Sequence, residues 1–149
     1  MVRNTAREIA VHLAYELSFT DKTAAELVEE RLTKEYFETL CDEDEIYREV
    51  PGGKQSEYIR SVVEGVAQHA PELDEFIARY ARGWSFERIP LVASAIMRVA
   101  MYEMLYMDKI PSSVSINEAV ELAKRFGGEK SPAYINGMLG TLARELDKE

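Results

Sequence analysis

The segment that follows Pro90 constrains this chain most. LVASAIMRVAMYEMLYM, residues 91–107, has only three strongly polar positions, Ser94, Arg98 and Glu103. A helix that is apolar around most of its circumference must be surrounded by other elements. Three polar interruptions make it unsuited to a membrane span, which needs about 20 predominantly apolar residues. The rest of the chain therefore has to supply partners for one central helix. Arg98 and Glu103 on that helix read as hydrogen-bonded groups, either internal or facing a partner.

Helical periodicity elsewhere supplies those partners. Ile9, Leu13 and Leu17, flanked by Ala6, Ala10 and Ala14, give an amphipathic helix over residues 4–19. Asp21 to Thr23 offers N-cap chemistry for a second helix, whose apolar positions Leu27, Val28, Leu32, Phe37 and Leu40 carry it to about Cys41. DEDEIYREVPGGK, residues 42–54, combines an acidic run with Pro-Gly-Gly and reads as an exposed loop. A third helix is predicted from about Ser56 to His69. A fourth starts at Pro71 and ends at Gly83. Pro90 opens the central helix and Asp108 to Pro111 breaks it. Ser113 or Ser115 caps the next helix, Ser115 having capping-box spacing to Glu118, and Gly127–Gly128 ends it. Ser131 followed by Pro132 reads as an N-cap with an N1 proline, opening a last helix that turns Tyr134, Ile135, Met138, Leu139 and Leu142 inward. No run of β-branched alternation bounded by hairpin turns occurs. The expectation is all-α: about seven helices in a single domain, 1–149, built as sub-bundles of about 1–70 and 71–149.

Several functions are disfavoured on chemistry. One cysteine, Cys41, permits no internal disulfide and suits a reducing compartment. The N-terminal stretch MVRNTAREIAVHLAYEL is broken by Arg7, Glu8 and Glu16, so it forms neither a signal peptide nor a membrane span, and the cytoplasm is expected. His12 and His69 lack a flanking ligand motif, so no metal site is expected. There is no phosphate-cradling P-loop, no dinucleotide fingerprint, no nucleophile elbow and no HExxH, which argues against an enzyme or a bound cofactor. The net charge of −9 argues against indiscriminate nucleic-acid binding, but the charge is uneven. Residues 21–50 hold eleven acids against four bases, whereas residues 109–144 hold five bases against three acids. The acidic stretch reads as a solvated face that keeps nucleic acid away.

Three stretches together carry a family resemblance: AREIAVHLAYEL near the start, IMRVAMYEML in the central helix, and IPSSVSINEAVELAKRFGGEKSPAYINGML. In order and spacing they resemble the NusB transcription antitermination factors, nearly continuously from Pro90 onward and more weakly over the rest outside residues 42–54. The resemblance implies two packed helical bundles and no catalytic activity. It implies recognition of the boxA segment of nascent ribosomal RNA together with NusE, a small-subunit ribosomal protein, within the RNA polymerase antitermination complex. A chain ending at Glu149 is not expected to carry the methyltransferase domain to which NusB-like domains are sometimes fused.

The resemblance also implies an RNA surface. Arg7 matches the arginine of the A-R-E element, with Arg3 one turn earlier. Lys124, Phe126 and Gly127 match the corner where INEAVELAK ends, and Arg125 sits with Lys124 in the last turn of that helix as a further RNA-binding candidate. Ser131 opens the last helix, whose backbone N–H groups can meet a phosphate, and Tyr15 matches an aromatic position of the first helix. The chain departs from the pattern at Asn4 and Thr5, where relatives carry further arginines. Phe126 has two readings: an exposed platform for a stacked base, or a core residue continuing the stripe of Ile116, Ala119 and Ala123. The competing function is a protein-interaction module, binding NusE or itself as a homodimer, with little RNA affinity of its own.

Overall fold

The computed structural model describes residues 1–80 and 89–147. Among these residues there are eight α-helices and no strand. They are α1 (Arg3–Glu16), α2 (Ala24–Arg31), α3 (Lys34–Leu40), α4 (Gly53–Gln68), α5 (Ala70–Tyr80), α6 (Leu91–Tyr106), α7 (Ser112–Phe126) and α8 (Ser131–Asp147), with short 3-10 turns at Leu17–Phe19 and Glu45–Tyr47. The all-α expectation holds. The chain divides into two units, Met1–Gln68 and His69–Glu149. The expected stop of the fourth helix at Gly83 lies outside the described residues.

In the first unit α1 and α2 both pack on α4. Their buried faces meet through Ile9, Leu13, Leu27, Val28, Ile59, Val62 and Val63. Thr23 caps α2 as anticipated: its hydroxyl accepts from the Glu26 N–H at 3.1 Å, and the Glu26 carboxylate accepts from the Thr23 N–H at 3.1 Å. The helix expected to run to Cys41 is instead two. Leu32 leaves helical geometry at φ −84°, ψ 57°, and Thr33 caps α3 by accepting from the Tyr36 N–H. The supposed loop 42–54 is also more structured than its acids suggest. Ile46 is buried, and the Tyr47 ring sits 5.1 Å from Phe37, with its hydroxyl 2.8 Å from His12 Nδ1. Burial of Ile46 and packing of the half-buried Tyr47 ring fold the acidic stretch back onto α1 and α3. Gly53, at φ 54°, then opens α4 three residues before the expected start.

In the second unit α6 is the central helix its composition demands. Ten of its sixteen residues are buried, and it contacts α5, α7 and α8. Its polar groups are resolved as internal or partly buried pairs. Arg98 Nε donates to Asp74 Oδ1 at 2.7 Å, and the fully buried Glu103 carboxylate accepts from the Ser115 hydroxyl at 2.7 Å. This corrects the expectation that Ser115 or Ser113 caps α7. The N-cap is Pro111, with no side-chain cap, because the helix begins early enough to carry Ser115 inward onto α6.

Candidate nucleic-acid interface

The residues expected to meet RNA fall in both units, and each group has its own geometry. In the first unit, α1 and α4 bring Arg3, Arg7 and Tyr58 together. Arg3 Nε donates to Gln55 Oε1 at 2.7 Å, and its guanidinium lies 4.3 Å from the centroid of the Tyr58 ring. Arg7 approaches the same ring at 5.9 Å and donates from Nη1 to Asn4 Oδ1 at 2.9 Å. Tyr58 is buried, so the two cations share a fixed aromatic floor. Their accessibility differs sharply: Arg3 is half-buried, whereas Arg7 is only 3% exposed. Asn4, where the family pattern carries a further arginine, serves here as an acceptor for Arg7. Tyr58 and Gln55 escaped the sequence reading. Tyr58 sits on the apolar stripe of α4 and looks like plain core, and nothing in a sequence marks Gln55 as the acceptor for a side chain 52 positions away.

Further along α1, Tyr15 is half-buried and meets the 62%-exposed Phe19 edge to face at 5.0 Å. The neighbouring acid, Glu16, is engaged by Arg31 through Nη2 at 2.5 Å and Nε at 3.0 Å. That hydrogen bond holds the Arg31 guanidinium above its usual pKa, and the pairing offsets an acid that would otherwise repel phosphate beside Tyr15.

In the second unit the end of α7 forms the corner. Phe126 is 40% exposed, which resolves its two readings in favour of a surface ring. The Arg125 guanidinium lies 4.7 Å from the Phe126 centroid, and exposed Lys124 pairs with Glu121 at 3.0 Å. An exposed pair of this kind exchanges its partner for a phosphate at little cost, being worth roughly 0–1 kcal/mol. Gly127 caps the helix, its N–H donating to the Ala123 carbonyl at 2.9 Å. Gly128 follows at φ 88°, a left-handed turn that favours glycine.

Ser131 stands differently from its expected role. It is 1% exposed, and its hydroxyl donates back to the Gly127 carbonyl instead of capping α8 or facing solvent. α8 begins at Ser131 itself. Among the described residues no group of three His, Cys, Asp or Glu is placed to hold a metal ion, and no helix is long and apolar enough to cross a membrane.

The profile of the NusB family matches residues 4–144. A transcription antitermination protein NusB from Carboxydothermus hydrogenoformans is 40% identical over 148 residues, covering 99% of this chain and 96% of the relative. The solved structure of T. maritima NusB superposes with a TM-score of 0.79 at 29% identity, covering 97% of this chain and 92% of that one. A structure of antitermination factors NusB and NusE in complex with double-stranded RNA gives a TM-score of 0.73 at 20% identity, with 96% of each chain covered, and shares the fold.

Proposed function

This chain belongs to the NusB family, and from that premise we propose that it is a non-enzymatic transcription antitermination factor that binds boxA RNA of nascent ribosomal transcripts together with NusE. Such a factor works in the cytoplasm, within the RNA polymerase antitermination complex. The observation that carries the RNA reading is Phe126, an exposed ring at the end of α7 flanked by Lys124 and Arg125. A single-stranded base stacked on such a ring is worth roughly 1–3 kcal/mol, and the adjacent cations attract the backbone. Arg3, held by Gln55 and Tyr58, offers a second phosphate contact from the first unit, and Tyr15 a second aromatic surface.

A second reading has its own observation. Arg7 is buried and Asn4 and Thr5 replace further cations, so the N-terminal arm presents little positive surface. That favours a protein-interaction module, binding NusE or a second copy of itself, with weak RNA affinity. Titrating labelled boxA RNA with the protein, with and without NusE, at two salt concentrations separates the two. Salt-sensitive binding that NusE strengthens supports the antitermination reading. Binding of NusE with no gain in RNA affinity supports the interaction module.

A further inference from the structure

The corner depends on a ring that the repeat of α7 would otherwise bury, and the contacts of Gly127 with Ser131 account for its exposure. Ala119 and Ala123 are buried in one row, and position 127 continues that row one turn later. No side chain fits there. A Cβ at Gly127 would lie 2.9 Å from Ser131 Cβ, 3.1 Å from the Ala123 carbonyl oxygen and 3.2 Å from Ala123 Cα. The space that a terminal core residue of α7 would occupy is thus taken by Ser131. Phe126, one position earlier, is turned away from the row.

Ser131 also closes the turn through hydrogen bonds. The last carbonyls of a helix have no partner within it, and the Ser131 hydroxyl donates to that of Gly127. Its N–H donates to the Gly128 carbonyl at 3.3 Å. Two successive glycine carbonyls are therefore held by one residue, and the second of these glycines, the left-handed Gly128, turns the chain from α7 toward α8.

We propose that Ser131 is a positioning residue for RNA binding: by filling the row at Gly127 and holding its carbonyl, it fixes the end of α7 so that the Phe126 ring faces solvent. This rests on the reading of the corner as an RNA site. Ser131 touches no RNA itself and acts through the ring.

Ser131→Ala keeps the Cβ that fills the row and removes only the hydroxyl, so the fold is retained. Binding of boxA RNA is measured for four proteins: unaltered, Ser131→Ala, Phe126→Ala and the double variant. Helicity and NusE binding are followed alongside to fix the folded fraction. Ser131→Ala is expected to weaken RNA binding roughly three- to tenfold, the scale of one lost hydrogen bond. In the Phe126→Ala background it is expected to change nothing further, because two residues acting through one ring are coupled. A purely structural serine would lower stability in both backgrounds with no such coupling. If Phe126→Ala weakens binding and Ser131→Ala does not, or if the serine effect persists undiminished without the ring, the positioning role is overturned and the RNA corner stands. If Phe126→Ala leaves RNA binding intact, the corner itself is overturned, and the positioning role with it.

Discussion

The Ser115 hydroxyl donates to the Glu103 carboxylate at 2.7 Å, with Ser115 1% exposed and Glu103 fully buried. The bond ties the start of α7 to the central helix α6, and α7 carries the Phe126 corner at its other end. A buried carboxylate that loses a donor bears the full cost of its desolvation. Ser115→Ala is therefore expected to destabilise the protein by about 1–3 kcal/mol. The check is urea unfolding: the midpoint should fall at unchanged slope. A midpoint that does not move would show that the hydroxyl contributes no net bond to Glu103.

Phe126→Ala separates binding from stability. With 40% of its surface already in water, the ring contributes little to the core, so unfolding should change by no more than about 1 kcal/mol. RNA binding should fall by roughly 5- to 150-fold if one base stacks on the ring. A loss of several kcal/mol in stability, of the size a truncated core phenylalanine gives, would return Phe126 to the core.

Arg3 and Arg7 should part company in the same assays. Arg3 is half-buried and held by Gln55 and Tyr58, so Arg3→Ala should weaken RNA binding and lower the salt slope by about one phosphate equivalent. Arg7, 3% exposed and packed toward Tyr58, should act mainly through the fold. Arg7→Ala is expected to cost about 1–3 kcal/mol in unfolding free energy, the scale of a lost buried polar contact. Salt titration of RNA binding with thermal melts of both variants distinguishes the roles. Equal effects of the two on the salt slope, with neither affecting stability, would contradict the assignment.

The parts of the fold that were legible in the sequence are those set by local pattern. The apolar run after Pro90 demanded a surrounded helix because its own composition left no solvent face, and α6 is buried against three neighbours. Asp21 to Thr23 marked the start of α2 by cap chemistry, and Thr23 supplies the cap. The break at Leu32–Thr33 was hidden because Leu27, Val28, Leu32, Phe37 and Leu40 keep apolar spacing across it. Only the tertiary packing of Ile46 and Tyr47 over α3 shows why two short helices are preferred. Ser115 was misread for a related reason: a serine near a helix start suits a cap or a buried acceptor equally well until the position of Glu103 is known. In the corner, spacing left Phe126 undecided between core and surface, since it lies seven residues after Ala119. The deciding feature, the approach of Ser131 to Gly127, is a contact between two helices and leaves no local signature beyond the glycine itself.

The capping box of α2 makes a prediction in pH. The Glu26 carboxyl is held below its usual pKa of 4.5, chiefly by the hydrogen bond from the Thr23 N–H and then by its hydroxyl. A carboxyl whose pKa is lowered by folding adds stability above its unfolded pKa, and that stability is lost as the pH falls through the folded one. Glu26→Gln keeps an acceptor for the Thr23 N–H but cannot titrate. The unaltered protein should therefore be the more stable of the two near neutrality, and the difference should shrink as the pH falls below 4.5 through the lowered folded value. Thr23→Ala removes the cap and should cost about 0.5–2 kcal/mol near neutrality; the part due to the bond from the Glu26 N–H persists in acid, whereas the part due to the Glu26 carboxylate is lost there. Thermal melts of the three proteins across that range provide the check. A gap between unaltered protein and Glu26→Gln that stays constant from neutral to acid pH would mean that the carboxylate charge plays no part in capping α2.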